Sequence, residues 1–120
     1  MKKIYHLSTC DTNRRILKNL NVSQFEMVDI KHENITEDVL DYAKTRLGSY
    51  LKLFNTKCLL YRDIPQEKRP KRDIGYRKFI LSHYTYLKRP VIIDGEKVFS
   101  GSEKENLIAL ETFFAENYPK

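Results

Sequence analysis

Strand, helix and strand follow one another at the N-terminus of this chain, and that order leaves few folds open. Lys3 to Leu7 is a short apolar run whose Ile4 and Tyr5 are the β-branched and aromatic types that suit a pleated strand. Ser8-Thr9 ends it. From Asp11 onward, Ile16, Leu17 and Leu20 recur at the spacing of an amphipathic helix, with Arg14, Arg15 and Lys18 off the apolar stripe, and Asn21 closes that pattern. Phe25 to Ile30 is short and partly alternating, a second strand. Two strands joined through a helix form a βαβ unit, which places them parallel in one sheet with a right-handed crossover.

The middle of the chain reads as helical. Asn34-Ile35-Thr36-Glu37-Asp38 offers capping residues followed by acids, which a helix dipole favours in a first turn. Val39, Leu40, Ala43 and Leu47 then line one face, Gly48 is a natural stop, and a short helical turn fits Tyr50 to Phe54. Residues 61–73, with Pro65, Pro70 and a basic cluster, are expected to be a loop. Tyr76, Phe79, Ile80, Tyr84 and Leu87 have helical spacing, predicting a helix over 74–87 that ends before Arg89-Pro90. Val91-Ile92-Ile93 and Lys97-Val98-Phe99 flank Asp94-Gly95 and predict a hairpin. Ser102 and Glu105 have the spacing of a capping box, and Leu107, Ile108, Leu110, Phe113 and Phe114 form a closing helix. The order βαβ, helical middle, ββα is that of an α/β protein with a thioredoxin-like fold, in one domain over 1–120.

Composition narrows the class of protein further. The 120 residues are 41% hydrophobic and carry 22 Lys plus Arg against 16 Asp plus Glu, a net charge of +6. A chain of this size buries roughly two thirds of its unfolded surface, enough for one core without staples, which argues against a disordered tail, a disulfide mini-protein or a multi-domain enzyme. The apolar runs, such as Cys58 to Tyr61 and Pro90 to Ile93, are far shorter than the roughly 20 residues that span a bilayer. Met1 to Leu7 begins like a signal peptide, but Ser8, Cys10, Asp11 and two arginines arrive before any apolar core of one develops, so the expected location is the cytoplasm and no membrane partner is expected. Lys68-Arg69-Pro70-Lys71-Arg72 lacks interleaved aromatic residues and reads as a solvated loop rather than a nucleic-acid site. Cys10 and Cys58 stand too far apart in sequence to suggest a permanent bridge in a reducing compartment, and neither they nor His6, His32 and His83 have metal-ligand spacing, so no metal is expected.

Cys10 falls where the first strand meets the first helix. A thiol there faces unpaired backbone N–H groups and the positive end of the helix dipole, both of which favour the thiolate. His6 and Arg14 add positive charge nearby, and the same N–H groups suit an oxyanion or an anionic thiol held beside the sulfur. Arg89 would strengthen such a site, with a cis bond at Pro90 turning the backbone toward the helix N-terminus. The competing readings are a small buried hydrophobe for Cys10 and, for Arg89-Pro90, the Arg-Pro pair of an ordinary helix end.

The segment Ile4-Tyr5-His6-Leu7-Ser8-Thr9-Cys10-Asp11-Thr12-Asn13-Arg14-Arg15 resembles the active-site loop of the arsenate reductase (ArsC) and Spx family, and Lys88-Arg89-Pro90-Val91-Ile92 resembles its second signature. The resemblance covers nearly the whole chain and implies a thioredoxin-like fold with an inserted helical region, a helical insertion at about 34–87. It also implies Cys10 as nucleophile, His6 as the histidine that assists the thiolate, and Arg89 as an oxyanion-clamping arginine, with Thr12, Asn13 and Arg14 lining the anion site. The family's middle arginine has Lys57, or Arg62, as its nearest counterpart, and a third arginine falls near Ser100. Lysine is a point charge and serine carries none, which weighs against arsenate itself as substrate. Asn13 stands where many Spx-like regulators have a second cysteine, so an intra-loop disulfide cannot form. Cys58, flanked by Leu59 and Leu60, reads as packing, or as a thiol that resolves an adduct on Cys10.

The expected function is therefore thiol-dependent oxidoreduction of a small oxyanion or thiol substrate, with no bound cofactor. Glutathione or another thiol, through glutaredoxin or thioredoxin, would be the reductant. The alternative is a non-enzymatic regulator that binds a partner, as Spx binds RNA polymerase.

Overall fold

In the computed structural model, which describes residues 1–120, the chain forms four strands and five α-helices. β1 (Lys2–His6), α1 (Asp11–Lys18) and β2 (Glu26–Asp29) make the βαβ half, while β3 (Val91–Asp94), β4 (Lys97–Ser100) and α5 (Lys104–Asn117) make the ββα half. Between them run α2 (Glu37–Leu47), α3 (Leu59–Arg62) and α4 (Asp73–Ser82), with 3-10 turns at Leu51–Leu53, Gln66–Lys68 and Tyr84–Tyr86. The sheet order is β2-β1-β3-β4, with β1 parallel to β2 and antiparallel to β3. This is the thioredoxin-like arrangement, with the helical segment inserted between its halves.

Two compact units result, Met1–Glu33 with Arg89–Lys120, and Asn34–Lys88. In the first, Ile4 and Ile92 pair across the sheet and meet Leu20, Phe25, Leu110, Phe114 and Tyr118 in one buried cluster, against which Ile16 and Leu17 of α1 and Phe99 of β4 pack. The core between sheet and helices thereby ties α1 to β1, and so fixes where the junction between them stands. Tyr5, Val28, Val91 and Ile93, on the sheet's opposite face, are buried as well. In the second unit Phe54, fully buried, has ring neighbours Tyr61, Tyr76, Phe79 and Tyr86 at 4.7–6.3 Å between centroids. The Asp73 carboxylate accepts from the N–H groups of Tyr50 and Leu51, and the Arg77 guanidinium donates to both oxygens of Asp41. Gly48 ends α2 at φ 100°, a left-handed position that glycine takes without the steric penalty of a Cβ.

The structure corrects several local expectations. The helix expected over 74–87 stops at Ser82, because His83 is extended and its Nδ1 accepts from the Thr85 N–H at 3.2 Å. The tight turn that follows delivers Tyr86 to Phe54, stacked at 5.6 Å. The 61–73 segment is not wholly loop, since α3 reaches Arg62 and a 3-10 turn follows. Ser102 is not a cap: α5 starts at Lys104 with Glu103 before it, after Gly101 at φ 95°, whose carbonyl accepts from Asn106 Nδ2. Ile108 is 56% exposed and lies off the buried face of α5. Asp94 pairs with Lys97, so the hairpin turns on Gly95-Glu96 rather than on Asp94-Gly95, with Gly95 at φ 57°.

Candidate functional site

Cys10 is the N-cap of α1, extended at φ −97° and ψ 115°, half-buried, with a free thiol and no side-chain capping bond. The first intrahelical bond runs from Arg14 N–H to the Cys10 carbonyl at 3.0 Å. The N–H groups of Asp11, Thr12 and Asn13 therefore precede any intrahelical acceptor and form the donor end of the helix beside the cysteine.

The loop that delivers Cys10 is held group by group. Its own backbone closes a turn, with the Cys10 N–H donating to the Leu7 carbonyl at 3.0 Å. The Leu7 N–H donates to Asn13 Oδ1 at 3.1 Å. Arg14 Nη1 donates to the Ser8 carbonyl at 2.9 Å, and its other nitrogen pairs with the Asp11 carboxylate. From the neighbouring strand, Asp29 Oδ2 accepts from Ser8 Oγ at 2.5 Å and Oδ1 from the Ser8 N–H at 3.5 Å. Bonds on Leu7, Ser8 and the Cys10 backbone leave the loop little freedom to move the thiol.

Asp29 is the residue that sequence reading missed. It pairs with His6 in the β1–β2 register and sits four residues beyond Phe25, where nothing in the local pattern distinguishes it from any strand-end aspartate. Its carboxyl is held below the ordinary aspartate value of 3.8, chiefly by the Ser8 hydroxyl; partial burial opposes this, while the N–H groups of Lys31 and Ser8 and the charge of His6 assist. His32 Nε2 lies 3.9 Å from Oδ2. Because the folded value is depressed, the latch contributes its stability fully above about pH 4 and loses it as pH falls through the folded value. Carboxyl carbon NMR is expected to place the Asp29 midpoint below 3.8, with the Ser8 amide resonance titrating alongside. A midpoint at or above that value would show that the latch does not hold in solution.

The other expected site residues fall in three places. Thr12 is half-buried in the first turn of α1, whereas the Asn13 side chain turns inward, only 1% exposed, and braces Leu7 instead of facing a ligand. His6 ends β1. One rung past the last β1–β3 pair, Tyr5 with Val91, β1 continues into His6 and β3 is preceded by Pro90, so the cis Arg89–Pro90 peptide stands beside the end of β1 that leads to Cys10. Pro90 is buried, and its carbonyl accepts from the Gly101 N–H at 3.0 Å. Ser100, opposite Val91, buries its hydroxyl without a protein partner. Lys57 and Cys58 belong to the other unit: the Lys57 side chain is exposed and its N–H donates to Asn55, and Cys58 is a half-buried free thiol at the start of α3. Arg69, within the basic cluster, lies over the Tyr61 ring and donates to the carbonyls of Ile64 and Arg62, which braces its own loop. No group of three or more His, Cys, Asp or Glu side chains is placed to hold a metal, and no helix is long and apolar enough to cross a membrane.

A βαβ–ββα sheet with a cysteine capping its first helix, and a cis-proline ahead of β3, has the thioredoxin-like fold with the helical insertion seen in arsenate-reductase-related structures. Three solved structures share it. The protein YffB superimposes with a TM-score of 0.75 at 19% identity over 91% of this chain and 97% of its own. An arsenate reductase from Vibrio cholerae gives 0.72 at 17% identity over 90% and 95%. An arsenate reductase (ArsC) related protein from Brucella melitensis gives 0.66 at 23% identity over 90% and 92%. At these identities the likeness is one of fold. No protein-family model and no curated protein sequence matches the chain.

Proposed function

We propose that the protein is a thiol-dependent reductase in which Cys10 is the nucleophile. The observation that carries this reading is the placement of a free, half-buried thiol at the N-cap of α1, next to helix N–H groups with no intrahelical acceptor. The thiolate attacks an electrophilic substrate and forms a covalent adduct, which an exogenous thiol then resolves. With a mixed disulfide between glutathione and another small thiol, Cys10 attacks the glutathione sulfur, an S–S bond forms to Cys10 and the small thiol leaves as its thiolate. Free glutathione then attacks that bond, regenerating the Cys10 thiolate and departing as oxidised glutathione, so the substrate disulfide is reduced at the expense of glutathione. With arsenate, the sulfur displaces water to form an S–As bond, two exogenous thiols supply the electrons that take arsenic(V) to arsenic(III) and leave as a disulfide, and water then cleaves the S–As bond to release arsenite and the Cys10 thiol.

His6 and Arg89 fit the roles of assisting the thiolate and holding the anion, since both stand at the sheet end that leads to Cys10. Thr12, Arg14 and the helix N–H groups complete the cradle. Ser100, uncharged and with its hydroxyl buried, supplies no further cation, which suits a small thiol or disulfide better than arsenate. Glutathione, glutaredoxin and thioredoxin are the reductants to try. Reduced protein is mixed in turn with a glutathionylated small thiol, with free glutathione as the reductant, and with arsenate, with a glutathione–glutaredoxin or thioredoxin system, and Cys10→Ser is run beside it. Turnover of either substrate that Cys10→Ser abolishes supports the mechanism; equal turnover in both proteins would refute it. No turnover with either substrate, and recovery of RNA polymerase from lysate, would favour the regulator instead.

A further inference from the structure

The side chains that hold the Cys10 loop differ in what they are attached to. Asn13 and Arg14 ride on α1 itself, so their bonds to Leu7 and Ser8 keep the loop with the helix however the helix moves. Asp29 belongs to β2 and is fixed in register against His6 of β1, and the Ile30 N–H bonds the His6 carbonyl at 2.8 Å just beyond it. Its carboxylate, 19% exposed, is the side-chain contact that refers the loop to the sheet. Lys31 from the following turn donates its N–H to the same oxygen as Ser8, which sets the carboxylate's orientation.

We propose that Asp29 is a positioning residue for Cys10: by binding Ser8 through both backbone and hydroxyl, it fixes the height of the α1 N-cap relative to the sheet end where His6 and Arg89–Pro90 stand. The proposal rests on Cys10 being the nucleophile. Asp29 takes no part in bond making. Its charge also faces His6 and lies 3.9 Å from His32 Nε2, but what positions the thiol under this proposal is the geometry of the Ser8 contacts rather than that charge. An asparagine can reproduce that geometry, its carboxamide oxygen accepting from the Ser8 N–H and its amide group donating to Ser8 Oγ.

The test follows formation of the Cys10–glutathione mixed disulfide from oxidised glutathione by mass spectrometry, together with hydrogen exchange of the residue 8 amide. Asp29→Ala is expected to slow adduct formation about 10-fold and to raise exchange by a similar factor, since sub-ångström misplacement of a reacting group costs rate steeply. Asp29→Asn is expected to restore both to within about 3-fold, which a role in charge would not allow. Ser8→Ala, which leaves the fold intact, is expected to fall between them, and to add nothing in an Asp29→Ala background. Wild-type behaviour of Asp29→Ala in both readouts, or Asp29→Asn as slow as Asp29→Ala, would overturn the proposal. Should Asp29→Ala fail to fold, an unchanged Ser8→Ala would do the same. Inert Cys10 in the wild-type protein would instead refute the nucleophile reading, while hydrogen exchange still decides whether Asp29 holds the loop.

Discussion

Replacing Cys10 by serine is expected to abolish thiol-dependent turnover, by on the order of 10³-fold or more, while leaving the protein at least as stable as before. The activity loss follows from chemistry, since a serine hydroxyl is not ionised near neutrality and forms no disulfide. The retained stability follows from position. Cys10 makes no capping hydrogen bond, and serine is among the preferred N-cap residues, able to accept from an N–H of the first turn. A gain of up to about 1 kcal/mol in chemical denaturation is the expected sign of that new cap. A stable, inactive Cys10→Ser, beside an active Cys58→Ser, separates the nucleophile from the packing role that any cysteine can play. Loss of activity accompanied by unfolding would show that the thiol serves the core.

The largest stability effect is expected at Phe114→Ala. Phe114 is 2% exposed on α5, stacks on Phe25 at 5.4 Å between ring centroids and meets Tyr118 at 5.3 Å. Its cluster includes Ile4 of β1 and is packed by Ile16 and Leu17 of α1, the two elements that meet at Cys10. Truncation removes a buried ring and leaves a cavity among side chains that cannot close it, at a cost of about 3–5 kcal/mol in equilibrium unfolding. At sub-denaturing urea, the variant is expected to expose Cys10 to thiol reagents earlier than the wild type does. A cost below about 1 kcal/mol would mean that the aromatic cluster repacks and does not anchor α1.

What the sequence made legible was set by periodicity. The βαβ and ββα halves show themselves because Ile16, Leu17 and Leu20 repeat with helical spacing, whereas Val91-Ile92-Ile93 and Lys97-Val98-Phe99 are β-rich runs separated by a turn. Their order then leaves few topologies. Periodicity failed at 74–87, because Tyr84 and Leu87 keep helical spacing from Tyr76 and Ile80 although His83 has already left the helix; a side-chain to backbone bond at Thr85 carries no signal in an apolar pattern. It failed at Ser102 because the positive φ of Gly101 moved the helix start past the expected cap. Within the site, Cys10 and Arg89-Pro90 were visible because a junction and a dipeptide are local features. Asp29 was not, since its partner Ser8 is distant along the chain and is reached only through the parallel pairing of β1 and β2. Asn13 was visible as a position but not as a brace, since only the fold shows that its side chain points back to Leu7.

The central claim is that the fold makes Cys10 a reactive thiol, and alkylation rate tests that directly. Reduced protein is treated with limiting iodoacetamide near neutral pH, and the modified fraction at each cysteine is followed by peptide mass spectrometry against a cysteine peptide in the same tube. Cys10 is expected to react about 10-fold faster than the peptide, and faster than Cys58, because it makes no capping bond and stands beside helix N–H groups that have no intrahelical acceptor. A Cys10 that reacts no faster than the peptide would contradict the account.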